Sequence, residues 1–208
     1  MTARLAPVAT IALALVAAWT LAGHLARADA PRVAASNYIK NSNSSATATP
    51  AWSGELQLPF APGESWAYTG APHMAWMPPS PSTALDFASN DGTGLARAVC
   101  PGTVTRADTG RLWLVCNGHE TEVLYLHQRE PVPVGTIVKA GDVVGTPACE
   151  GSDLRCNGPH IHLAVMKGGE WIVPTLSGWT FAAVGAEYEG TATGPGGETI
   201  GRMGEISW

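Results

Sequence analysis

Charge is scarce in this sequence, and positive charge is scarcer than negative. Only 14% of the 208 residues are charged, and 17 acidic residues outnumber 12 basic ones, for a net charge of −5. Nucleic-acid binding relies on lysine and arginine to neutralise phosphates, so this balance argues against a nucleic-acid partner. The low share of charged residues also argues against a charge-rich disordered chain, and 45% of the residues are hydrophobic.

Helical patterning is missing beyond the first thirty residues. No later window of ten or more residues places apolar side chains at helical spacing, and the 24 Gly and 16 Pro residues disfavour helices. Turn sequences such as Asn117-Gly118 separate short apolar runs instead. We therefore expect a mainly β protein, an antiparallel sheet or sandwich with few or no helices. The predicted strands are Leu56–Phe60, Ala84–Ala88, Leu95–Val99, Gly102–Ala107, Arg111–Cys116, Thr121–His127, Thr136–Lys139, Val143–Thr146 and His160–Met166.

Several catalytic motifs are absent as well. The sequence has no G-x-S-x-G nucleophile elbow, no P-loop and no G-x-G-x-x-G fingerprint. His119-Glu120 begins like the helical zinc motif H-E-x-x-H, but Val123 stands where the second histidine is required. We expect His119 to be exposed in a hairpin turn.

Cysteine is rare, and its four copies fit an oxidising compartment. Four cysteines allow three disulfide pairings. Cys100 and Cys116 lie on two strand-like segments, while Cys149 and Cys156 bracket a short loop, so we favour those two local pairs. A Cys₄ zinc site is the alternative, but no C-x-x-C pair supports it.

The amino terminus resembles an export signal. Arg4 precedes an uncharged apolar run from Leu5 to Ala22, and small-x-small cleavage patterns end at Ala28 and Ala30. Cleavage after Ala28 is preferred because the other site would leave Pro31 at the new terminus, so residues 1–28 are predicted to be a signal peptide. An uncleaved membrane anchor is the alternative, because the run from Leu5 to Ala22 is near the lower limit of the about 17–25 residues that a spanning helix needs.

Composition divides the rest of the chain into three parts. Residues 29–50 are rich in Ser, Asn, Thr and Ala, which is typical of a flexible linker or a short pro-segment. Residues 51–184 carry the strand patterns and are predicted to form the folded domain. Residues 185–208 are rich in glycine, and we expect a loosely packed tail there.

The strongest local signal for chemistry is Gly158-Pro159-His160-Ile161-His162. Side chains alternate along a strand, so His160 and His162 point to one face while Ile161 points to the other. Two imidazoles on one face suit a metal ligand beside an acid or base. From this stretch alone, a half-exposed strand with two polar residues fits equally well.

Three further residues, Asp86, His73 and His127, indicate a functional site only when they are considered together. Asp86 interrupts an apolar strand pattern and needs a cationic partner if it is buried. Taken singly, Asp86 fits an exposed edge strand, His73 an ordinary loop and His127 the end of a strand. A catalytic zinc takes three His, Asp or Glu ligands and keeps one position for water. A ligand set of two histidines and Asp86 would leave two further histidines of this chain for acid–base catalysis.

Four motifs in order resemble one family. Gly70-Ala71-Pro72-His73, Ser82-Thr83-Ala84-Leu85-Asp86-Phe87, Tyr125-Leu126-His127 and Gly158-Pro159-His160-Ile161-His162 are similar to motifs of the lysostaphin/LytM-type zinc metallopeptidases, which are bacterial peptidoglycan endopeptidases. The commoner branch of that family has its first ligand four residues before the aspartate, where this chain has Ser82. His73, placed earlier, resembles the β-lytic subgroup instead. The resemblance runs roughly from Phe60 to Trp179.

The resemblance implies a site and a reaction. It implies one Zn²⁺ per chain with His73, Asp86 and His162 as ligands, and His127 and His160 as catalytic residues whose individual roles stay open. Tyr125 and Asn157 are expected as neighbours. The implied fold is the antiparallel sheet of the duplicated hybrid motif, which agrees with the strand pattern.

The implied function is that of a secreted endopeptidase, extracellular or associated with the bacterial cell wall. It would hydrolyse peptide crosslinks of peptidoglycan, including glycine-containing bonds, through a zinc-activated water. Expected partners are peptidoglycan stem peptides or crossbridges, and we expect a monomer without membrane contact after signal removal. The alternatives are a non-catalytic family member that binds cell wall or activates a partner hydrolase, and a structural zinc or adhesion module.

Overall fold

The computed structural model describes residues 52–149 and 156–208, and within these ranges the secondary structure consists of β-strands without a helix. All pairings between these strands are antiparallel, so the predicted fold class is confirmed. The strands are β1 (Ser65–Met74), β2 (Ser82–Ser89), β3 (Ala96–Arg97), β4 (Gly102–Asp108), β5 (Gly110–Cys116), β6 (Thr121–Arg129), β7 (Ile137–Val138), β8 (Val143–Pro147), β9 (Ile161–Lys167), β10 (Glu170–Ile172), β11 (Thr180–Ala183), β12 (Gly190–Thr193), β13 (Thr199–Gly201) and β14 (Glu205–Ser207).

One large sheet organises the molecule. Its strands lie in the order β14-β1-β2-β9-β6-β5-β4-β7, with β10 added to β9 and β8 bridging β6 to β3. A separate three-stranded sheet has the order β11-β12-β13. Strands distant in sequence, such as β2 and β9, are therefore direct neighbours at the centre of the large sheet.

The two faces of the central strands have different surroundings. Leu85, Phe87, Leu163 and Tyr125 project into the main hydrophobic core and are fully buried. Alternation sends Ala84, Asp86, His162 and Ala164 to the opposite face, called the site face below. That face also carries a smaller apolar cluster, whose buried members are Ala75, Ala84, Trp113, Leu124, Leu126 and Ala164.

Eight of the nine predicted strands overlap an observed strand, and the ninth does not. Residues 56–60 are buried except for the half-buried Gln57, but they form only an isolated bridge, from Leu56 to Leu176. Conversely, the sequence pattern does not predict β1, because its sequence contains Gly70 and Pro72 and lacks a clean alternation. Its pairing with β2 is correspondingly irregular, with three shifts of register.

The prediction of a loosely packed tail over residues 185–208 is wrong. The segment forms β12, β13 and β14, and Ile206 is fully buried opposite Trp66 of β1. Its glycines serve packing as well as turns: a Cβ on Gly190 would lie 2.2 Å from the carbonyl oxygen of Ala182 and 2.7 Å from the Cβ of Ala71. Strands of three or four residues are too short for a pattern to reveal them.

Both predicted disulfides, Cys100–Cys116 and Cys149–Cys156, are present. The predicted signal peptide (1–28) and linker (29–50) lie outside the described residues. Among the residues that are described, no helix is long and apolar enough to span a membrane.

Burial of Ile206 in β14 predicts that the C-terminal segment stabilises the whole domain. Ile206→Ala should lower the free energy of unfolding by about 2–5 kcal/mol, because a fully buried aliphatic side chain is removed from a packed core. The measurement is urea denaturation of the full chain, monitored by tryptophan fluorescence.

Val184→Ala is the matched control, since Val184 is largely exposed and should change stability by less than about 0.5 kcal/mol. Equal, small effects of the two substitutions would contradict a structural role for β14.

Candidate metal and catalytic site

Three side chains from separate strands meet on the site face of the large sheet. His73 lies near the end of β1, Asp86 in β2 and His162 in β9, and Asp86 stands directly opposite His162 in the strand register. The Nε2 atom of His73 and the Nδ1 atom of His162 each lie 3.3 Å from Oδ1 of Asp86 and 3.0 Å from each other. All three residues are buried.

Backbone carbonyls fix the orientation of both imidazoles. The Nδ1–H of His73 donates to the carbonyl oxygen of Ala71 at 2.9 Å, and the Nε2–H of His162 donates to that of Ala75 at 3.0 Å. In the neutral rings, the opposite nitrogen of each therefore carries a lone pair aimed at Asp86. Metal-binding histidines are typically oriented by such hydrogen bonds to their second nitrogen.

The arrangement fits a metal ion. Ligand bonds of about 2.1 Å in tetrahedral geometry place donor atoms about 3.4 Å apart, close to the 3.0–3.3 Å observed. Oδ1 of Asp86 is buried and has no hydrogen-bond partner. Burial alone would raise the pKa of Asp86, but the adjacent imidazoles of His162 and His73 outweigh it and hold the pKa below its usual value. The group thus offers two imidazole lone pairs and an ionised carboxylate, a donor set that zinc accepts.

Two more histidines stand beside this group. His160 immediately precedes β9, its Nδ1–H donates to the carbonyl oxygen of Gly158 at 2.8 Å, and its Nε2 lies 3.7 Å from Oδ1 of Asp86. The ring of His127 lies 4.4 Å from that of His160, measured between centroids. Burial, together with the neighbouring His160 and His162, lowers the pKa of His127 to about 3, so its ring is neutral.

An irregularity in β6 places His127 at the site. Leu126 pairs with Arg111 and Gln128 with Gly110, so His127 is an extra residue in the ladder, and its backbone is left-handed with φ of 61°. Strict alternation would send His127 to the core face with Tyr125. The bulge redirects the side chain to the site face, a known use of such irregularities beside active sites.

A glycine makes room for the carboxylate. Gly70 of β1 is paired with Asp86, and a Cβ at this position would lie 2.6 Å from Oδ2 and 2.9 Å from the Cγ of Asp86. Any side chain at residue 70 would therefore displace the carboxylate. This gives a steric reason for the glycine in the Gly70-Ala71-Pro72-His73 motif.

A pocket of about 710 Å³ opens onto these residues. The five predicted side chains His73, Asp86, His127, His160 and His162 all line it, so the structure brings the whole predicted set together. Asn157 lines it too, as expected. The expectation for Tyr125 is wrong: its hydroxyl is in the core, where it donates to the carbonyl oxygen of Arg97 and accepts from the N–H of Val99.

The C-terminal segment contributes residues that sequence reasoning missed. Tyr188 stacks on the ring of His73, with centroids 4.2 Å apart and planes 24° apart. Glu187, Arg202 and Met203 also line the pocket. They follow the last recognised motif, and no local pattern around them distinguishes them from ordinary turn residues.

The fold and site define a class, an all-β domain with a candidate metal centre and an adjoining histidine pair. Residues 80–174 match the family described as Peptidase family M23, a match that starts after His73. The match covers four of the five predicted site residues, and it supports the resemblance to the lysostaphin/LytM-type metallopeptidases.

Several solved structures are similar to this chain, and the first, pseudoalterin, shares its fold. Pseudoalterin, an M23 metalloprotease described as coming from the deep sea, is 19% identical with a TM-score of 0.64, and the alignment covers 76% of this chain and all of that one. The catalytic domain of lysostaphin from Staphylococcus simulans is 25% identical with a TM-score of 0.40, covering 50% and 80%. A zinc-containing peptidase from Vibrio cholerae is 19% identical with a TM-score of 0.45, covering 57% and 38%. No curated protein sequence matches significantly.

The contact between Gly70 and Asp86 predicts a loss of metal affinity on substitution. Gly70→Ala should weaken zinc binding by about 10–100-fold, the usual effect of disturbing the support of a ligand. Competition with a chromophoric chelator measures the affinity.

Gly201→Ala is the control, since a Cβ there would meet nothing within 4 Å. Unchanged zinc affinity in Gly70→Ala would mean that the carboxylate does not need this space.

Proposed function

We propose that this chain is an exported, zinc-dependent endopeptidase that hydrolyses peptide crosslinks of bacterial peptidoglycan. The observation that carries the proposal is the convergence of a buried two-histidine, one-carboxylate group and a separate histidine pair on one pocket. The match of residues 80–174 to family M23 supports peptidase chemistry, and the resemblance of the four motifs to peptidoglycan endopeptidases supports the substrate class.

His73, Asp86 and His162 would hold the zinc ion through Nε2, a carboxylate oxygen and Nδ1 respectively. When bound, zinc supplies Lewis acidity and lowers the pKa of a coordinated water towards about 7. Three protein ligands are typical of catalytic sites, whereas a structural zinc module would need a fourth. The fourth ligand of a structural site would have to be Nε2 of His160, which lies 3.7 Å from Oδ1 of Asp86. We assign His160 to proton transfer instead.

The hydrogen bonds of the histidine pair divide the roles between them. Because Nδ1–H of His160 donates to Gly158, its Nε2 has a free lone pair in the neutral ring. We assign proton acceptance from the attacking water to this nitrogen. The neutral ring of His127 lies 4.4 Å from the ring of His160, measured between centroids. We assign to it an N–H that donates to the peptide carbonyl oxygen as negative charge develops on that oxygen.

Export is part of the proposal and rests on different residues. Arg4, the apolar run and the Ala28 cleavage pattern support a signal peptide, and two disulfides suit an oxidising compartment. N-terminal sequencing of protein recovered from outside a bacterial host tests it. A mature terminus at Asp29 is expected, and retention of Met1 in membranes would contradict it.

Hydrolysis is tested on the full chain, loaded with zinc and incubated with purified peptidoglycan and with pentaglycine. New amino and carboxyl termini should appear by mass spectrometry, disappear with a chelator, return with zinc, and be absent for Asp86→Ala. Zinc-loaded protein that binds peptidoglycan but releases no termini would contradict the enzyme and favour the non-catalytic alternative.

The two groups of histidines should separate metal binding from catalysis. His162→Ala should lose both zinc and activity, because a ligand is removed. His160→Ala should keep one zinc per chain while kcat falls by about 10²–10⁴-fold, the usual contribution of a proton-transfer group. Metal analysis and peptide-release kinetics measure the two effects.

His119→Ala is the control, because His119 is exposed and packs against Trp52 away from the pocket. Full activity in His160→Ala would overturn the assignment of His160.

A further inference from the structure

One disulfide lies beside the histidine pair. The Sγ atom of Cys156 is 3.8 Å from Nδ1 of His160 and 3.0 Å from the carbonyl oxygen of Gly158. That carbonyl oxygen accepts the hydrogen bond from Nδ1–H of His160 that sets the orientation of the ring. The position of Cys156 therefore bears directly on the group that orients His160.

The other half of the same disulfide leads to His127. Cys149 follows Ala148, whose backbone N–H donates to the carbonyl oxygen of His127 at 2.6 Å. Just before it, Pro147 of β8 is paired with Gln128 of β6. The carbonyl of the left-handed residue in β6 is thus held by the residue next to the disulfide.

We propose that the Cys149–Cys156 disulfide is a positioning element that aligns His127 with His160, and that its reduction lowers turnover without releasing the metal. The inference rests on the proposed function for its catalytic readout. The covalent link joins two segments, each of which makes a short backbone contact with one histidine. The ligands His73 and Asp86 lie on β1 and β2, His162 lies within β9, and the two ligand imidazoles are oriented by the carbonyls of Ala71 and Ala75 rather than by the disulfide-linked segments.

The two disulfides differ in their access to a reductant. Cys100 and Cys116 are buried in the main core, whereas Cys149 is exposed and Cys156 half-buried. Thiol–disulfide exchange depends on access to sulfur. An added dithiol should therefore cleave Cys149–Cys156 first: the dithiol gives up two electrons and two protons and becomes a disulfide, while the protein gains two thiols.

The first experiment compares the double variant Cys149→Ser/Cys156→Ser with Cys100→Ala/Cys116→Ala, both in the full chain. The first variant should bind one zinc and lose at least about tenfold in kcat with little change in KM, since small displacements of reacting groups are costly. The second should keep kcat within about twofold and lose thermal stability, because its disulfide is buried in the main core and does not line the pocket. Unchanged kcat in the first variant, or zinc lost together with activity, would overturn the proposal.

The second experiment needs neither a substitution nor catalysis. Zinc-loaded protein is treated with a dithiol under native conditions, and alkylation followed by mass spectrometry identifies the free thiols. Imidazole nitrogen NMR should show the signals of His127 and His160 moving while those of His73 and His162 stay, and reoxidation should restore them. If all four sets of signals stay in place after reduction of Cys149–Cys156, the proposal is wrong.

The two readouts separate this inference from the proposed function. Protein that releases no peptide termini but shows the NMR shifts would disprove the peptidase and keep the positioning element. Active protein whose kcat and NMR signals do not change when the disulfide is removed or reduced would support the peptidase and disprove the positioning element.

Discussion

The burial of Asp86 in the centre of the sheet is the constraint on which the rest of the site depends. An ionised carboxylate withdrawn from water is expensive unless cations or hydrogen-bond donors surround it. Here two imidazoles from neighbouring strands face it, and its Oδ1 has no ordinary hydrogen-bond partner. A divalent cation between the three side chains would satisfy the carboxylate and both lone pairs together. Gly70 belongs to the same constraint, because the carboxylate occupies the space of the missing side chain.

Alternation along two strands explains which parts of the site the sequence could predict. Apolar residues on both sides of Asp86 and His162 define the core face, and a period of two then places both residues on the opposite face. Their direct pairing needs only that β2 and β9 be neighbours. His73 carries no such signal. Its strand has no recognisable pattern, and resemblance to a family motif is the sole indication of its role.

Two features could not be predicted, for different physical reasons. His127 reaches the site because β6 contains an extra residue, and a bulge is decided by pairing with β5, which lies outside any local window. Tyr188 reaches His73 because the C-terminal strands fold back against β1. Its neighbours are glycine-rich turns whose composition is also that of a disordered tail. In both cases long-range contacts override the local pattern.

Backbone groups, rather than side chains, orient three of the four histidines of the site. The rings of His73, His162 and His160 each donate to a main-chain carbonyl, those of Ala71, Ala75 and Gly158. A carbonyl is present whatever the residue type, so these orientations depend on the path of the chain and tolerate changes in the neighbouring side chains. Particular residue types are required only at the few positions where the backbone conformation is unusual. These are a glycine facing the carboxylate, an extra residue in β6, and a disulfide next to the turn before β9. Sequence can therefore diverge widely across such a domain while the geometry of the site is retained.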